Sequence, residues 1–159
     1  RPVGSLIISM KEDTYMAHQH AGSYKSKHPK NTKIDERITQ ELSKSMREGG
    51  VACADACRIA SKLSVSMSEI GVGLDLMEIR IKKCMLGLFG YPENKVVLKP
   101  ASEVTPQLEA DIKASLVDGR LPCRHAWDIA DRFKISKMEV SSACEAMRIK
   151  IKPCQLGAF

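Results

Sequence analysis

The chain has 159 residues, a net charge of +6 and 43% hydrophobic residues, enough apolar material for a packed core. With one Trp, three Tyr and three Phe, that core must be built from Ile, Leu, Val, Met, Ala and Cys. No apolar run approaches the ~18 residues of a membrane span, and Leu6-Ile7-Ile8 is too short for a signal-peptide core.

Residues 1–34 carry His18, His20 and His28 among Ser, Lys and Gly, and show no sustained helical period. They read as an extended N-terminal arm with one short strand at Leu6–Ile8. The start at Arg1 rather than Met suggests that the arm is in part added sequence. Asp35 is placed to cap a first helix, whose apolar residues Ile38, Leu42 and Met46 recur every fourth position on one face. Gly49-Gly50 ends it. A second helix runs from about Ala52 to Leu63 with Ala56, Ile59, Ala60 and Leu63 inward. After the turn Ser64-Val65-Ser66 comes a third helix with Ile70, Leu74 and Met77 inward, and Ser66 with Glu69 forms a capping box. The period then switches to two at Ile79-Arg80-Ile81-Lys82, which predicts a strand. Tyr91-Pro92-Glu93-Asn94 predicts a turn and Val96-Val97-Leu98 a return strand, so that the pair would form a hairpin.

Residues 108–159 repeat residues 38–89 without a gap at an offset of 70, with Gly49/Gly119, Cys53/Cys123, Ala60/Ala130, Ser66/Ser136, Glu69/Glu139, Cys84/Cys154, Gly87/Gly157 and Phe89/Phe159 among the identical pairs. The chain is a tandem duplication. Its expected organisation is an arm at 1–34, a first repeat at 35–99, a linker at 100–107 and a second repeat at 108–159. Thr105 and Pro106 open the first helix of the second copy, on Leu108, Ile112 and Leu116. Ala126, Ile129, Ala130 and Phe133 face inward on its second helix, and Val140, Ala143 or Cys144, and Met147 on its third. The strand recurs as Ile149-Lys150-Ile151-Lys152, and the copy ends at Phe159, so its return strand is missing or supplied from elsewhere.

Helix, helix, short turn, helix and hairpin is the order of a winged helix-turn-helix. The stretches Cys57–Met77 and Trp127–Met147 resemble the helix-turn-helix of bacterial and archaeal transcriptional regulators, with Ser64 or Lys134 where Gly is usual in the turn. The resemblance implies a mainly α fold with small β-hairpin wings, two tandem winged helix-turn-helix repeats, and binding of duplex DNA by the third helix and a basic wing. The residues expected to touch DNA are Ser136, Lys137 and Ser141 on the third helix of the second copy, with Arg148, Lys150 and Lys152 after it and Arg80, Lys82 and Lys83 in the first copy. The charge pattern tempers this expectation. Residues 1–37 hold +3, residues 38–107 hold +1 and residues 108–159 hold +2, so neither repeat is strongly basic. The third helix of the first copy carries Gly71 and Gly73 and no cation. A protein-interaction or assembly module that has lost base readout is therefore the alternative to a dimeric, cytoplasmic DNA-binding regulator.

Of the six Cys, Cys53, Cys84, Cys123 and Cys154 occupy duplicated positions, whereas Cys57 and Cys144 do not. Without a secretion signal they read as reduced thiols. A zinc or iron–sulfur site on the four is weighed against buried core thiols. Close Cys-x-x-Cys pairs are absent, so core thiols, with no metal and no cofactor, are the expectation. No nucleophile–base pairing accompanies His125, and Gly71-Val72-Gly73 lies inside a predicted helix, so no enzyme activity or small-molecule substrate is expected.

Overall fold

The computed structural model describes residues 23–159. The strand expected at Leu6–Ile8 and the histidines His18 and His20 lie outside the described residues. Among the described residues the chain is mainly helical, with six α-helices and one two-stranded parallel pair.

Repeat one contains α1 (Glu36–Ser45), β1 (Gly50–Ala52), α2 (Cys53–Leu63), α3 (Met67–Leu76) and β2 (Arg80–Lys82). Repeat two contains α4 (Pro106–Ala114), α5 (Cys123–Phe133) and α6 (Lys137–Ala146). Helix starts follow the expected caps. Asp35 accepts from the Arg37 amide at 2.9 Å and Thr105 from the Leu108 amide at 3.3 Å. Reciprocal capping boxes close the starts of α3 (Ser66/Glu69) and α6 (Ser136/Glu139). Ser64 and Lys134 both adopt the left-handed conformation, with φ of 55° and 56°, at the ends of α2 and α5. The turn thus keeps its usual backbone shape without the usual glycine.

The expected hairpin wing is not formed. β2 pairs in parallel with β1, registering Val51 on Ile81, and in repeat two a single parallel bridge joins Leu121 to Ile151. The reason is topological. The partner strand precedes the second helix, so α2, the turn and α3 together supply the long crossover that a parallel pair requires. Val96–Leu98 forms no strand; Val96 is 86% exposed, while Leu98 is buried.

There are two apolar cores, and each is completed by the other repeat. The core of repeat two (Leu108, Ile112, Leu121, Ile129, Val140 and neighbours) contains Cys84 and Leu86, from the loop that follows β2 of repeat one. The core of repeat one (Leu42, Val51, Ile59, Ile70, Leu74 and neighbours) contains Leu156, with Cys154 packed against it, from the equivalent loop of repeat two. Trp127 touches both cores. Residues 36–82 and 106–151 are therefore two small units clasped by crossed loops.

The segment before α1 also covers repeat one. A 3-10 turn at Tyr24–Lys27 places the Tyr24 and Lys25 amides on the Glu78 carboxylate at 3.0 and 2.8 Å. Lys27 and His28 both reach Asp75, at 3.0 and 2.7 Å. Asp75, near the end of α3, is thereby buried with partners, as a buried carboxylate requires.

Candidate functional site at the seam between the repeats

The third helices, expected to face a polymer, each turn one face into the molecule and leave Ser68 and Glu69 of α3 and Glu139 and Ala146 of α6 exposed. In α3 Ile70, Gly71, Gly73, Leu74 and Asp75 are all buried. A β-carbon at Gly73 would stand 2.7 Å from Ile34 and 2.9 Å from Ile38, so the missing side chain makes room for Ile34 and α1 against α3. In α6 Val140, Ser141, Ala143 and Cys144 are buried, and the Ala101 amide of the linker donates to the Ser142 carbonyl at 2.9 Å.

Of the residues expected to contact DNA, Ser141 is 1% exposed and belongs to the interior. Ser136 is used as a cap, and its hydroxyl accepts from the Glu139 amide at 3.1 Å. Lys137 is half-buried with its ammonium 4.8 Å from the centre of the Trp127 ring, a cation–π contact. Lys82 is half-buried and caps the turn before β1, donating to the carbonyls of Arg47 at 3.2 Å and Glu48 at 2.8 Å. Lys150 and Lys152 are half-buried, and their main chains bracket the Leu121 bridge. Arg80, Lys83 and Arg148 are exposed. Of the nine expected residues, Ser141 is the one that is buried. His125 is also accounted for locally, by a 2.8 Å hydrogen bond between its Nδ1 and the Ser115 carbonyl.

What the fold does bring together is the four duplicated cysteines. Cys53 and Cys123 are the first residues of α2 and α5. Cys84 and Cys154 open the crossed loops, which close on themselves in the same way. Cys84 N–H donates to Phe89 O at 3.1 Å and Gly87 N–H to Cys84 O at 2.9 Å; Cys154 N–H donates to Phe159 O at 2.9 Å and Gly157 N–H to Cys154 O at 3.1 Å. Gly87 and Gly157 sit at φ of 76° and 77°, where a side chain is strained. The two loop-end rings, Phe89 and Phe159, meet edge to face with centroids 5.7 Å apart. Since they are equivalent positions, this contact marks the pseudo-twofold axis of the duplication.

Every pair among Cys53, Cys84, Cys123 and Cys154 lies within electrostatic reach, so each thiolate would raise its neighbours. Backbone amides turn toward the sulfurs: Met85 toward Cys53, Gln155 toward Cys123, Leu86, Leu88 and Phe89 toward Cys84, and Leu156, Gly157 and Ala158 toward Cys154. The Gln155 side-chain amide adds a donor 3.5 Å from Cys123 Sγ. Burial is nevertheless the dominant influence, and it pushes the Cys53 thiol up to about 12 and Cys123 up to about 11, with Cys84 and Cys154 also raised. Left alone, these groups are protonated at neutral pH. Among the described residues no group of three or more His, Cys, Asp or Glu side chains is arranged to hold a metal ion.

The sequence placed these four residues at equivalent positions but not at one place. Their meeting depends on the crossing of the loops, for which no local pattern exists. Compared with protein-family models, with curated proteins and with solved structures, the chain matches none. Among the described residues no helix is long and apolar enough to cross a membrane.

Proposed function

We propose that this chain is an interaction or assembly module, built as two tandem units on a winged helix-turn-helix scaffold whose third helices have been withdrawn from base readout. The observation that supports this reading is the burial of one face of α3 and of α6, with contacts to the opposite repeat, the arm and the linker. In direct readout a helix enters the major groove with several side chains free to reach base edges. Here Gly71, Gly73 and Asp75 of α3 and Ser141 of α6 are committed to the interior.

A second reading, a dimeric DNA-binding regulator, draws on the exposure of Arg80, Lys83 and Arg148. Such cations track phosphates without reading sequence. Fluorescence anisotropy with a labelled mixed-sequence duplex, at low and at high salt, separates the two. The module reading expects at most weak binding that vanishes with salt and does not distinguish sequences. Tight binding that prefers one sequence would overturn it, and loss of that binding in Arg148→Glu would establish the regulator reading.

A further inference from the structure

The duplication supplies an internal comparison. At the offset of 70, Cys57 corresponds to Trp127 and Cys144 to Leu74, so at these positions a cysteine and another apolar side chain stand in for one another. The four that occur in both copies are the four that meet at the seam. Two are drawn from helix starts and two from loops that have crossed into the other repeat's core.

Their surroundings suit anionic sulfur. The first turn of a helix favours negative charge, and α2 and α5 each begin on a cysteine. The crossed loops turn main-chain amides toward all four sulfurs, and the Gln155 side chain adds another donor to Cys123. A neutral thiol is a weak acceptor and gains little from such an array. A metal-bound thiolate gains much, because amide donors to sulfur are a main device for tuning such centres.

Four thiolates can hold a single ion or a cluster. With Zn–S bonds of about 2.3 Å, a tetrahedral ion draws its sulfurs to within about 4 Å of one another. No three of these groups are arranged for one ion. In an iron–sulfur cluster each thiolate binds its own iron or shares one with a single partner, so the ligating sulfurs stand farther apart. We propose that Cys53, Cys84, Cys123 and Cys154 jointly ligate one iron–sulfur cluster of the 4Fe–4S type on the pseudo-twofold axis, two ligands from each repeat. Loading by ligand exchange is balanced without any redox change: each Cys–SH forms an Fe–S bond, and its proton leaves with the displaced thiolate.

The test uses the full chain, purified anaerobically and treated with a preassembled 4Fe–4S cluster capped by a simple alkylthiolate. The expected result is a visible sulfur-to-iron charge-transfer band that remains after desalting. Iron and acid-labile sulfide should be present in equal amounts, about four of each per chain. Cys84→Ser and Cys154→Ser should each lower cluster content by roughly tenfold or more, whereas Cys57→Ser should leave it unchanged. Cys144→Ser, at a buried thiol off the seam, controls for damage to the fold, with far-ultraviolet circular dichroism recorded on every variant. Failure of the folded wild-type chain to take up the cluster overturns the proposal. So does uptake unaffected by a folded Cys84→Ser chain, or retention of zinc or iron without sulfide.

Discussion

Gly71 of α3 lies directly against the main-chain carbonyl of Leu156, a residue of the other repeat. A β-carbon added there would press into the carbonyl oxygen and come within 2.8 Å of the carbonyl carbon. Glycine at this mid-helix position costs about 1 kcal/mol relative to alanine in propensity alone. Here it is required because two backbones touch. Gly71→Ala should therefore destabilise the protein by about 1–3 kcal/mol despite its better helix propensity. Chemical denaturation checks this, and an unchanged or raised midpoint would show that the crossed loop is not seated as described.

The crossed loops predict an effect at a distance in sequence. Leu86 and Leu156 are buried at 1% and 3% exposure, each in the opposite repeat's core. Truncation to Ala should cost about 2–5 kcal/mol in either case. Leu86→Ala should accelerate amide hydrogen exchange most in residues 108–151, and Leu156→Ala most in residues 38–82. Exchange rising mainly within the mutated residue's own repeat would contradict the crossed arrangement.

Lys134 ends α5 at φ 56° with its amide directed to the Ala130 carbonyl. A residue with a β-carbon is strained there and Gly is not, so Lys134→Gly should raise stability by roughly 0.5–1 kcal/mol. Thermal unfolding should show a midpoint higher by a few degrees, and Ser64→Gly should behave alike.

Glu145, on α6, has its carboxyl raised by burial. Its folded value thus lies above the unfolded one, so the neutral acid fits the native state better. The associated stability is fully present below the unfolded value and is lost as pH rises through the folded value. Above the ordinary glutamate value, Glu145→Gln should flatten part of the decline in stability with rising pH. An unaltered profile in urea titrations at several pH values would refute the assignment.

Much of the local structure was legible in the sequence. Asp35, Ser66, Thr105 and Ser136 cap the helices where the pattern puts them, and the four-residue spacing of Ile38 and Leu42, or of Leu108 and Ile112, marks buried faces. These signals are local. The alternation at Ile79–Lys82 marks a strand, but the turn at Tyr91–Asn94 points to Val96–Leu98 as its partner. The true partner, Gly50–Ala52, is too short to show a period. Ser141 read as a polar outward residue, yet it follows Val140 onto the face that the other repeat and the linker cover. The cysteine cluster was hidden for the same reason. Hydrophobic periodicity tells which face of a helix is buried, not which half of the molecule buries it.

Division of labour between the halves of this molecule is incomplete by design of its topology. Cut within residues 100–107, the protein should give two pieces that each lack an apolar plug and become ordered only on one-to-one mixing. A gene for a single unit would yield a folded product only by self-pairing, at the mercy of its own concentration. Joining two such units end to end makes the partner permanent and lets the halves diverge, as Cys57 and Trp127 have, without losing each other.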